Sequence, residues 1–111
     1  MTMFTNIKLY FLLMLAAFLS ACATVVVTPQ APAATSVQAE QAWASVLNRY
    51  VNQQGEVDFA ALAQNRTELD RYVRYVADTP YDQIADADTK MAHLVNAYNA
   101  LSMYNVIKSG I

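Results

Sequence analysis

Hydrophobic and polar positions change their pattern several times along the chain. Residues 11–19 are continuously apolar, whereas residues 28–42 are mostly small or polar and include Pro29 and Pro32. From Ser36 the spacing becomes helical. Val37, Trp43, Val46, Leu47, Tyr50 and Val51 recur on one face, which predicts an amphipathic helix. Thr35 and Gln38 have the capping-box spacing at its start, and Gly55 supplies a stop. The stretch "GEVDFAAL" predicts a turn, a short extended piece and a new helix capped by Asp58. That second helix is expected in two parts, residues 59–63 and 67–77. Leu69, Tyr72, Val73 and Val76 form the apolar stripe of the longer part, and Thr79-Pro80 ends it.

"YDQIADAD" has the composition of a connecting loop, with Asp86 or Asp88 as the cap of the next helix. The last helix is predicted over residues 89–108, closed by Gly110 in the left-handed conformation with Lys108 in the final turn. Met91, Leu94, Val95, Tyr98 and Leu101 make its expected main buried face, and Tyr104, Val106 and Ile107 continue the apolar surface around the cylinder. No alternating strand run of useful length is present. The expected fold class is therefore mainly α, a small bundle of about four helices. A bundle stops growing once its apolar faces are covered, yet the last helix is apolar on more than one face. The expectation is a partner on that helix, either another protein or further residues of the same domain. On this reading the chain is incomplete at Ile111.

The first segment alters the picture most. Residues 1–8 carry the terminal amine and Lys8, an apolar stretch comes next, and small residues close it. That is the three-part plan of a secretory signal, and the apolar run is too short to span a bilayer comfortably. Leu19-Ser20-Ala21-Cys22 resembles the lipobox of bacterial lipoproteins, in which a Leu and two small residues precede a cysteine. The resemblance implies cleavage between Ala21 and Cys22. It also implies a diacylglyceryl group on the Cys22 thiol and acylation of the new amino terminus. A cleaved signal in which Cys22 is incidental, or an uncleaved anchor, are the alternatives. The residue after the cysteine is Ala23 and not Asp, which favours the outer membrane, facing the periplasm. The expected organisation is a signal peptide over 1–21, a lipidated cysteine and flexible tether over 22–35, and a helical domain over 36–111.

Charge and cysteine content exclude several classes. One cysteine rules out an intramolecular disulfide framework, and no Cys/His set has zinc spacing. Losing Lys8 with residues 1–21 leaves six of the seven basic side chains against nine acidic ones, net −3. Without a basic cluster, nucleic-acid binding is not expected, because phosphate neutralisation supplies most of its affinity. No cofactor is expected. The partners implied are the membrane, through the lipid, and whatever covers the last helix.

"AHLVNAYNALSMYNVI" holds the candidate chemistry. His93, Asn96 and Asn99 lie three apart on an otherwise apolar helix, where Asn has poor propensity and needs a reason. They could line a cleft with Tyr98 nearby. The structural alternative is that both amides bond the backbone of a neighbouring loop and lock the helix, and this is the favoured one, because buried polar groups are normally satisfied in that way. Trp43 and Tyr50, Tyr72, Tyr75 and Tyr98 are expected in packing. Asp58, Glu68 and Asp70 are expected as caps and solvated charges.

Three stretches together resemble a family, the domain of unknown function 547 (DUF 547). They are "VLNRYVNQQGEVDFAAL", "LDRYVRYV" and "NAYNALSMYNVI". Gly55, Val57, Asp58, Phe59 and Leu62 match its Gly-x-Val-Asp-aromatic turn leading to a Leu, and Asn96, Ala97, Tyr98, Asn99 and Ala100 its Asn-Ala-Tyr-Asn-Ala helix. The similarity runs over residues 43–107. Where family members carry aromatics before the first Asn, this chain has His93-Leu94-Val95, so no family role carries over to His93. The resemblance implies that this chain is the N-terminal helical part of a larger α+β domain, which continues into an apolar strand bearing a His and into a Cys-Pro pair, and this chain has neither. It implies no established reaction. The expected function is a lipid-anchored bacterial envelope protein with a binding or structural role. The alternative is the N-terminal fragment of a hydrolase-like envelope enzyme whose catalytic Cys and His lie beyond Ile111.

Overall fold

The structure is a computed structural model that describes residues 31–110. Four α-helices succeed one another: α1 (Ser36–Tyr50), α2 (Phe59–Gln64), α3 (Thr67–Asp78) and α4 (Ala87–Ser109). Among the described residues there is no strand, only an isolated antiparallel bridge between Val51 and Val57. The mainly α bundle read from the sequence is the observed architecture.

Local chemistry sets the boundaries. At the start of α1 the Thr35 hydroxyl accepts the Gln38 N–H at 3.3 Å, and the Gln38 side-chain oxygen accepts the Thr35 N–H at 3.1 Å. This reciprocal pair satisfies two donors that the first turn leaves without partners. Asp58 caps α2 through the Ala61 N–H at 3.1 Å. Asp86, the first of the two candidate caps, starts α4 two residues earlier than expected by accepting from the backbone and hydroxyl of Thr89, both at 2.7 Å. Those donors hold the Asp86 carboxyl below the usual carboxylate range. Gly110 ends α4 at φ +75°, a conformation that suits glycine. The loop before α4 contains a 3-10 turn, Tyr81–Gln83, where the composition suggests only a connector.

Between α1 and α2 the chain turns on Gly55 at φ +79°. Asn52 organises this turn, its side-chain oxygen accepting from the N–H groups of Gln54 and Glu56 at 3.0 and 2.9 Å. The Asn52 N–H donates to Glu56 and the Asp58 N–H to Tyr50, which frames the Val51–Val57 bridge. The bridge brings the end of α1 back beside the start of α2.

The core gathers Val46 from α1, Leu62 from α2, Leu69 and Val73 from α3 and Ala100 from α4, each essentially inaccessible to solvent. Trp43 stacks on Tyr72 with ring centroids 5.2 Å apart. Burial, with Tyr75 and Glu40 nearby, pushes the Tyr72 phenol up to about 12. A phenol whose folded pKa lies above its unfolded value of roughly 10 contributes stability that is complete below that pH and is lost as the folded pKa is crossed. Stability is therefore expected to fall between about pH 10 and pH 12, and Tyr72→Phe to weaken that dependence. Unfolding midpoints measured across the alkaline range check this.

Two helix faces differ from their sequence reading. On α1 the buried residues are Ala39, Ala42, Trp43 and Val46, while Val37 and Leu47 are exposed. On α4 the expected face is reversed: Met91, Leu94, Val95 and Tyr98 are exposed, and Ala97, Ala100, Met103 and Tyr104 are buried. Alanines let the α4 backbone approach its neighbours closely, so Met103 and Tyr104 fill the remaining space. The charges of α3 instead pair along their own helix, as Arg66–Asp70, Arg71–Glu68 and Arg74–Asp78. Such surface pairs add little stability. The body also reaches back before α1, because Arg74 donates to the Ala31 carbonyl at 3.2 Å and Ala34 packs against the core.

Candidate functional site

Helix α4 has two unlike sides. One is the alanine-lined face against the core. The other is an outer ridge in which Met91 is 62 %, Leu94 41 %, Val95 52 % and Tyr98 74 % exposed. Residues 91–107 contain no Asp, Glu, Lys or Arg at all, whereas the outer face of a solvated helix normally carries charge. At the N-terminal end of the ridge the Lys90 ammonium sits over the Tyr81 ring, 5.7 Å from its centroid.

Beside the C-terminal half of α4 runs a groove of about 370 Å³. Its apolar walls come from Leu47 and Val51 of the α1 end, Val57 and Phe59 across the bridge, and Val106. Asn99 and Ser102 supply its polar side chains. The Ser102 hydroxyl donates to the Tyr98 carbonyl at 2.7 Å, one turn back. The exposed Asn99 amide is thus the group in the groove best placed to offer both a donor and an acceptor to an incoming molecule.

The sequence groups His93, Asn96 and Asn99 on one stripe. Each step of three residues turns the helix by 300°, so over two steps the stripe drifts by about 120°. His93 and Asn96 are half-buried on the core side, while Asn99 is exposed and faces the groove. The His93 ring meets the Tyr75 ring edge-on at 6.0 Å, a packing contact that extends the line from Trp43 through Tyr72 and Tyr75. Asn96 is only half-buried and Asn99 is exposed, so the expected lock of two buried asparagine amides on a neighbouring loop is not formed. Tyr98, expected in the core, stands on the outer ridge.

Asn99→Leu is accordingly expected to shift unfolding free energy by less than about 0.5 kcal/mol, the range of surface changes. Chemical denaturation checks it; a loss of about 1–3 kcal/mol, the cost of stranding a buried hydrogen-bond partner, would show that the amide is structural.

The groove joins apolar walls to one free amide and a backbone-bonded hydroxyl, an arrangement suited to holding an apolar group and orienting it. Among the described residues no set of three or more His, Cys, Asp or Glu could hold a metal ion, and no helix is long and apolar enough to cross a membrane. Cys22 and Ala21, the expected lipidation and cleavage positions, lie outside the described residues. The groove walls Leu47, Val51, Val57 and Phe59 are not marked as site residues by the sequence, although two valines flanking a Gly-containing turn hint that the segments fold back on each other. No family model, curated protein or solved structure matches the chain.

Proposed function

We propose that this chain is a lipid-anchored bacterial envelope protein of the DUF 547 type, facing the periplasm from the outer membrane, and that its helical body acts by docking to a protein. The observation that carries the docking role is the charge-free, exposed ridge Met91, Leu94, Val95 and Tyr98, which lies alongside an apolar groove. Apolar surface of this kind on a small domain is a mark of interaction sites. The family resemblance agrees with it. Within Asn96-Ala97-Tyr98-Asn99-Ala100 the two alanines face the core, while Tyr98 and Asn99 face outward and are free to meet a partner. The anchor is supported by Leu19-Ser20-Ala21-Cys22 behind the apolar stretch. Two or three acyl chains would hold the protein stably at a membrane, where one would not.

The test of the anchor is the intact mass of the protein extracted from its host's membranes. A chain beginning at Cys22 and carrying acyl groups is expected. An unmodified amino terminus would overturn the anchor.

A further inference from the structure

The chain ahead of α1 does not leave the body where that helix begins. Thr35 is fixed by its capping box, Ala34 packs against the core, and the Ala31 carbonyl accepts from the Arg74 guanidinium at 3.2 Å. Ala31 and Pro32 line a recess of about 220 Å³ together with Thr67, Asp70 and Arg71. Thr67, Asp70, Arg71 and Arg74 follow one another at helical spacing, on the side of α3 turned from Leu69, Tyr72 and Val73. Residues 31–34 are thus a strap laid over the outer face of α3. We propose that this strap turns the outer face of α3 toward the bilayer, with Arg74 as its fastening. The inference rests on lipidation of Cys22 and deepens the anchor proposed above.

Chain geometry gives the strap its effect. The sequence alone assigns residues 22–35 to the tether; with 31–35 held on the body, only residues 22–30 separate the lipid from α3. At about 3.3–3.6 Å per residue they reach no further than about 30 Å, against about 45 Å for a tether running free to Thr35. The point of attachment also moves from the start of α1 to the back of α3. Two packed helices with their side chains are about 20 Å across, so the far side of α1 stands that much further from the bilayer. The face presented suits lipid headgroups. Its guanidinium groups are each matched by a carboxylate, as Arg66–Asp70, Arg71–Glu68 and Arg74–Asp78, so it brings no net charge to the surface. Arg74 performs two tasks at once, its Nε donating to Asp78 at 2.8 Å and its Nη1 to Ala31. A lysine ammonium lacks the fixed fork that does this.

The full chain, extracted from host membranes with its lipid and placed in phosphatidylcholine nanodiscs, tests this orientation. A lipid carrying a gadolinium chelate on its headgroup broadens amide signals steeply with proximity. The Thr67 and Arg71 amides should broaden at least about threefold more than those of Gln41 and Asn48, which are exposed on the side of α1 turned from its buried residues. Arg74→Ala should cut that contrast by about half or more, and Arg74→Lys should follow it. Both variants should melt like the parent, because Arg74 is half-buried at the surface and the core is unaltered. Equal broadening of the two faces, or a contrast indifferent to Arg74→Ala, overturns the role of the strap and leaves the anchor standing. A chain that carries no acyl groups, or whose signals the gadolinium lipid leaves sharp throughout, overturns the anchor and the inference with it.

Discussion

Cys22→Ser is expected to leave the full-length precursor in place of the processed protein and to abolish stable attachment to the outer membrane. The cause is chemical. A thiol is ionised enough near neutral pH to attack the lipid donor, and a serine hydroxyl is not. Without the diacylglyceryl group the peptidase that cuts before a lipidated cysteine has no substrate, so residues 1–21 stay attached. Electrophoretic mobility reports the retained segment, and membrane fractionation reports the location. A serine variant that is processed and fractionates as the parent does would sink the lipoprotein reading, while leaving the α4 surface untouched.

Leu62→Ala should have the largest effect on folding. Leu62 is fully buried and is the one buried residue of α2, a helix of six residues. A helix so short has no stability of its own and exists because this side chain fastens it to the core. Truncation costs about 2–5 kcal/mol for lost burial and the cavity left behind, a large share of the roughly 5–15 kcal/mol typical of a small domain. The melting midpoint should drop by roughly 8–40 °C. The groove should open with it, because Phe59 and Val57 lie at the entry to α2. The neighbouring exposed change Ala63→Ser should do little. Thermal and urea melts of the two variants decide between a structural α2 and a dispensable one.

How far the fold was legible depends on where specific chemistry marks the chain. Helix ends were readable because Thr35 with Gln38, Asp58, Asp86 and Gly110 each perform a defined backbone task. The buried stripe of α3 was readable because Glu68, Asp70, Arg71, Arg74 and Asp78 mark the opposite side, which leaves one face for Leu69, Tyr72 and Val73. On α4 that contrast disappears. With apolar residues all round, periodicity offers two faces, and hydropathy favours the one with the larger side chains. Packing chose the alanines, since proximity of backbones outweighs the size of any single side chain. The same reversal moved Tyr98 outward and turned Asn99 from an expected internal lock into a groove residue. The groove itself depends on residues from α1, the bridge and α4, which lie far apart along the chain, so no local pattern announces it.

Trp43 is the sole tryptophan of the chain; it is buried, stacked on Tyr72, and its indole N–H has no hydrogen-bond partner among the described residues. An indole held this way is a built-in optical probe. Its emission belongs at short wavelength while the core is closed and moves to the red when water reaches the ring. Because the outer ridge of α4 lies on the far side of that helix from the core, occupancy of the ridge should leave the colour of this emission unchanged. Loosening of the core should alter it at once, so one spectrum separates association from unfolding.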